Sequence, residues 1–190
     1  MQKKEKLFST KNLVFGALFA AMAIVLGRFT AIYPVPGAKY TLDKFLLFMS
    51  GMFFGPAAGG MIGFVADLIG GQFFGIGWTA PLCVPAVLYG VFGGLFRKML
   101  MKNCSILRLG LAYLFPILIG SILYQSPVLA WLYSPTTFWE ATYTYLISRT
   151  VQFAIMLVLE VTLIYILIKT NIFSRVGLWP RQERNDKNDR

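Results

Sequence analysis

The chain of 190 residues has no histidine, two cysteines and only eight acidic side chains. Without histidine, the commonest general base and the usual zinc ligand are both missing. Cys83 falls in a predicted membrane span and Cys104 in a predicted cytoplasmic loop, which argues against a disulfide and gives no metal-binding spacing. No Gly-x-x-x-x-Gly-Lys-Ser/Thr loop occurs, so the chain does not hydrolyse ATP by that route. Nor is there a serine, cysteine or metal constellation of an intramembrane enzyme. The expectation is a non-enzyme with no cofactor. Charge is scarce too, at 14% of residues, against about a quarter in a soluble domain.

What fills the chain instead is apolar: 57% of residues are hydrophobic and the mean hydropathy is +0.64. Apolar stretches of about 20 residues recur, each long enough to cross a hydrocarbon core about 30 Å thick. The fold class expected is an all-α integral membrane protein, a compact bundle of six transmembrane helices. The spans are predicted near residues 12–32, 38–54, 57–74, 79–101, 107–132 and 143–169, with Gly55-Pro56 breaking the second from the third. Residues 1–172 form one membrane domain, and 173–190 a polar tail of mixed sign.

The net charge of +10 is a topology signal rather than a mark of nucleic-acid binding. Basic residues cluster at Lys3–Lys11, at Arg97–Arg108 and from Lys169 to the end. Short loops rich in Lys and Arg stay on the cytoplasmic side. With a cytoplasmic N-terminus, both later clusters follow an even number of spans, so the C-terminus is cytoplasmic as well. The first span has the look of a signal peptide but reads as an uncleaved helix.

Four ionisable residues fall inside predicted spans: Arg28, Asp67, Arg149 and Glu160. Each costs about 2.5–3.5 kcal/mol on insertion scales, so such residues usually face a bundle interior and mark a site. At 1.5 Å per residue, Arg28 and Arg149 lie roughly 6 Å below the outer surface and Asp67 roughly 10 Å. Tyr145, Arg149 and Gln152 share one helical face. Tyr33, Tyr40, Phe73, Phe74 and Trp78 belong to segments around the same opening, whereas Trp131, Tyr133 and Trp139 fit an interfacial belt. Two arginines beside aromatic rings suit an anionic, flat, ring-bearing ligand. Three readings of Glu160 stay open: substrate contact, bond to a neighbouring helix, or proton carrier. Asp43 and Lys44 belong either to the site or to the interface.

Small residues recur at four-residue spacing: Ala17/Ala21, Gly55/Gly59, Gly59/Gly63 and Gly90/Gly94. Such pairs let helices approach closely, within the bundle or against another membrane subunit.

Together, the Ala17–Ala21 pair, the small apolar chain and the segment "MSGMFFGPAAGGMIGFVADLIGG" resemble the substrate-binding S-component of an energy-coupling factor (ECF) vitamin transporter. The segment is similar to that of the folate-specific branch through Gly51, Met52, Phe53, Phe54, Gly55, Pro56, Gly59, Gly63, Asp67 and Gly70. Arg149 of "LISRTVQ" falls where that branch tends to have a Pro-Arg pair, with Ser148 in the proline's place. The resemblance implies a high-affinity folate-binding subunit in the cell membrane. It would deliver its vitamin to a membrane scaffold subunit coupled to two cytoplasmic ATPases. Asp67 would then meet the pterin, Arg28 or Arg149 the glutamate carboxylates, and Phe73, Phe74 or Trp78 the rings. Ala17 and Ala21 would form the docking face. Other ligands of such subunits, riboflavin, thiamine or a queuosine precursor, stay open. So do a proton-coupled carrier titrating Asp67 and Glu160, and an assembly protein whose charges only hold helices together.

Overall fold

The computed structural model describes residues 10–35, 38–73, 79–102, 104–170, 172–175 and 177–178. It is nearly all helical. Helix α1 runs Thr10–Phe29, and a small antiparallel hairpin comes next, β1 (Ile32–Val35) against β2 (Ala38–Tyr40). Then come α2 (Lys44–Phe54), α3 (Pro56–Phe73), α4 (Ala80–Leu95) and α5 (Arg97–Lys102). Helix α6 (Ile106–Pro116) passes through a π-helical stretch, Ile117–Tyr124, into α7 (Gln125–Tyr133). One 3-10 turn leads to α8 (Phe138–Lys169), and then to α9 (Ile172–Arg175).

Among the described residues, three helical stretches are long and apolar enough to cross a membrane: 12–29, 106–133 and 135–169. Their outward faces are apolar, whereas polar groups turn inward. On α8, Ile147, Val151, Ile155 and Val158 are more than half exposed, while Arg149, Gln152 and Glu160 are buried. That is the inverse of a water-soluble helix, and it suits a lipid surround.

The largest difference from the expected spans lies at residues 38–54. Residues 38–40 are strand, and the helix begins only at Lys44. "YPVPGAKY" carries two prolines and a Pro-Gly dipeptide, which favour extended and turn backbone over helix. At 11 residues, α2 spans only about 16 Å. Its start is tied to the end of α1: Thr30 Oγ1 accepts from the Leu42 N–H at 3.1 Å and donates to the Leu26 carbonyl at 2.5 Å. The predicted 79–101 span is present with a turn at Phe96, and α8 begins five residues before the predicted 143. Nothing between Pro135 and Tyr143 breaks a helix.

Helices α2, α3 and α4 meet backbone to backbone. A Cβ on Gly51 would overlap the Gly90 carbonyl, one on Gly90 the Gly59 carbonyl, one on Gly63 the Ala86 carbonyl, and one on Gly94 the Pro56 backbone. Gly55, between α2 and α3, has φ +95°, a conformation open to glycine at little cost. Beside this seam lies the core, with Phe48, Met49 and Met52 fully buried. Phe173 packs on Phe53 at 4.7 Å between ring centroids.

Pro116 and Pro127 bracket the π-helical stretch. Each lacks an N–H and crowds the carbonyl four residues back. For Pro127 that carbonyl is the one of Leu123, within the π-helical stretch, whose wider turn eases the clash.

Candidate functional site

The described residues form a small cleft, partly open to its surroundings. Ala23, Ile24, Gly27 and Arg28 of α1 line one side, and Ala66, Asp67 and Gly70 of α3 another. Asp43, Leu47 and Ala86 complete it. Arg28 and Asp67, conspicuous in the sequence by their depth, therefore face one site from two walls. The Arg28 guanidinium donates through Nη2 to the Gly70 carbonyl. This carbonyl lies in the last turn of α3, where intrahelical partners run out and a cation is favoured.

Asp67 has a partner that the sequence does not reveal: its carboxylate accepts from the buried Cys83 thiol of α4. Lys44, Asp43 and Arg28 all act on it electrostatically. Asp43 sits against Gly27, where a Cβ would come within 3.2 Å of its carboxyl carbon. Lys44 Nζ lies 3.6 Å from Asp43 Oδ1 and 3.4 Å from Thr41 Oγ1. Arg28 faces Asp43 and Asp67 in the cleft, and Lys44 beside Asp43 supplies the second cation that balances the charge. It suits a neutral ligand edge rich in hydrogen-bond donors and acceptors.

Arg149 does not line this cleft. It belongs to a second polar wall between α4, α6–α7 and α8, which carries Tyr89 and Gln152 and, deeper in the bundle, Tyr113, Ser121 and Glu160, all buried. Tyr113 donates its hydroxyl to Glu160 Oε2 at 2.5 Å, and Tyr89 and Ser121 share a hydrogen bond of 3.1 Å. The two tyrosine rings lie 5.4 Å apart. Of the readings open for Glu160, the bond to a neighbouring helix is the one the structure contains.

Arg149 is only 6% exposed. Its guanidinium stands 5.5 Å from the Phe153 ring centre, a cation–π distance. Its Nε and Nη1 have no hydrogen-bond partner among the described residues, and no described carboxylate lies within 4 Å of it. A buried cation so placed is costly. An anion placed beside it would offset that cost.

Of the other expected contacts, Gln152 is buried on the Arg149 face and Tyr145 is half-buried within electrostatic reach of Arg149. The side chain of Phe73 and all of Phe74 and Trp78 lie outside the described residues, as does the side chain of Tyr33. Ala17 and Ala21 are exposed on α1, in line with Leu13 and Val25, which are also exposed.

A polar-lined, lipid-faced helical bundle of this kind has a match in a known family. The model of the ECF-type riboflavin transporter S component matches residues 7–169. The chain belongs to that family. Its fold is similar to a crystal structure of FolT bound with folic acid, with a TM-score of 0.71 and 25% sequence identity, covering 83% of this chain and 92% of that one. Among curated proteins, UPF0397 proteins of Streptococcus pneumoniae, strains 70585 and R6, are 29% identical over 91 residues. That stretch is 48% of this chain, and the chain spans about half the length of these curated relatives. Membership means a transporter subunit of the membrane, not an enzyme.

Proposed function

We propose that this chain is a high-affinity membrane receptor for folate, the substrate-binding subunit of an ATP-driven uptake system. The observation that carries this is Arg149, a buried guanidinium with unpartnered N–H groups and no described carboxylate near it. Folate has a neutral, donor-rich pterin at one end and carboxylates at the other. The balanced cleft at Asp67 suits the first and Arg149 the second. Asp67 accepts from the pterin amino group and ring N–H, while Arg28 frames the cleft. Tyr145 and Gln152 flank the carboxylate end, and Phe73, Phe74 and Trp78 supply stacking surfaces. The likeness to FolT bound with folic acid supports this reading.

A second reading is riboflavin, favoured by the name of the family model. Riboflavin carries no carboxylate and leaves Arg149 without a purpose. The two separate directly. The absorbance spectrum of protein purified from cells identifies a co-purified flavin or pterin, and titration with each vitamin gives the preference. Folate binding that outcompetes riboflavin supports the proposal; tight riboflavin binding with no folate binding overturns it.

On this reading the chain crosses the cell membrane six times with both ends in the cytoplasm, the basic clusters inside and the β1–β2 hairpin outside. It works with an ECF scaffold subunit and two cytoplasmic ATPases, and the exposed Ala17/Ala21 stripe of α1 is where the scaffold docks. Ala17→Trp is expected to abolish ATP-dependent uptake in cells co-expressing those subunits while leaving folate binding intact. Equal loss of both would remove α1 as the docking face.

A further inference from the structure

Two more polar side chains with buried atoms stand at the start of α7, immediately after the π-helical stretch. Ser126 is fully buried, and its Oγ has no hydrogen-bond partner among the described residues; the same holds for Gln125 Oε1. In most proteins a buried serine in a helix bonds a carbonyl of the preceding turn, as Thr142, Thr150 and Thr162 of α8 all do here. Two polar atoms of one turn left unmade is an uncommon outcome, since buried polar groups are as a rule hydrogen-bonded.

Their level in the bundle can be counted. Helices α6–α7 and α8 run antiparallel and are joined at the Tyr113–Glu160 bond. From there, Arg149 lies 11 residues up α8 and Gln125 lies 12 residues up the other helix. At a rise of 1.5 Å or slightly less per residue, both come to about the same height, roughly 16–18 Å from the bond. Helix α7 packs directly on α8. Three side chains on two packed helices, Arg149 and Ser126 buried and Gln125 half-buried, therefore share one level, each with a buried polar atom lacking a partner among the described residues. The π-helical stretch leads directly into this turn, and π turns are frequent at functional sites.

We propose that Gln125 and Ser126 complete the anion receptor of Arg149 and set its specificity for a carboxylate-bearing ligand. The Ser126 hydroxyl donates to a carboxylate oxygen beside the guanidinium. The Gln125 amide accepts from an N–H next to that carboxylate, or donates to its second oxygen when turned over. This rests on the folate reading above and extends it to α7.

The test is a titration of purified protein with two probes, folate and hydroxymethylpterin, which lacks the benzoylglutamate arm. Ser126→Ala should weaken folate binding about fivefold. Gln125→Glu, which sets a like charge against the ligand's carboxylate, should weaken it about tenfold or more. Neither should alter the affinity for hydroxymethylpterin, which also shows that each variant is folded. Folate affinity unchanged in both variants, with Arg149→Met still impaired, overturns the role of α7 and keeps the folate reading. Equal losses for both probes also overturn it, since a carboxylate receptor has no effect on the armless pterin. A wild-type protein that binds no folate overturns the folate reading and this inference with it.

Discussion

The two halves of the bundle are held together in opposite ways. Helices α2, α3 and α4 touch through glycines, with carbonyls where side chains would be. Across the molecule, α6–α7 and α8 meet through buried polar groups, several of them with atoms that lack partners among the described residues. The first seam is complete as it stands and leaves no room. The second carries groups whose cost of burial, on the proposed reading, a bound ligand compensates. A rigid frame set against an unfinished polar wall is what a receptor requires, because preorganised elements reduce the ordering that binding demands.

The contrast can be broken from the frame side with the largest effect. Gly90→Val places a side chain into the Gly59 carbonyl, so neither neighbour yields by rotating a bond. The expected outcome is loss of folded protein, at least about 3 kcal/mol, measured as disappearance of the monodisperse peak and of the thermal transition in detergent. On the polar side the signature is reversed. Arg149→Met should cost about 2–5 kcal/mol of folate affinity, yet leave ligand-free thermal stability equal or higher, because a buried unmatched charge has been replaced by an apolar chain. Calorimetry with and without folate reads both.

Smaller effects sharpen the division of labour within the site. Asp67→Asn keeps the size of the side chain but loses the charge that strengthens its hydrogen bonds. Folate affinity should fall by about 1.5–3 kcal/mol with the fold intact; unchanged affinity would remove Asp67 from the pterin site. Tyr113→Phe leaves the Glu160 carboxylate without its donor. A drop of about 1–2 kcal/mol in ligand-free stability is expected, with little change in folate affinity, since this pair lies far below Arg149. Thermal unfolding and titration of the same sample separate the two.

The two halves are also unequally legible in the sequence. Spacing marks Gly59, Gly63, Gly90 and Gly94 as places of close approach, because small residues four apart fall on one helical face, but not whether the approach is within the bundle or to another subunit. Arg28, Asp67, Arg149 and Glu160 stand out by rarity, since a charge in an apolar run is conspicuous whatever its partners. What spacing does not supply is their grouping. Depth counting places Arg28, Asp67 and Arg149 at similar heights, but height says nothing of which side of the bundle each faces, and Arg149 stands apart from the cleft. Cys83 as the partner of Asp67 is hidden because a lone cysteine on an apolar helix has no distinguishing pattern. Gln125 and Ser126 are hidden by the π-helical stretch, which breaks the 3.6-residue period on which any face assignment depends. The prolines of "YPVPGAKY" mark it as a loop in the sequence, but spacing does not show its hairpin pairing, and residues 38–40 fall within the predicted second span.

The central claim is that Arg149 is a cation waiting for the carboxylate of a folate. The most direct measurement is a paired titration of wild-type protein and Arg149→Met with folate and with riboflavin, under identical detergent and salt. Folate should bind the variant at least about thirtyfold more weakly than the wild type, and riboflavin should bind the wild type more weakly than folate does. Riboflavin bound more tightly than folate, or folate affinity unaffected by Arg149→Met, would contradict the claim.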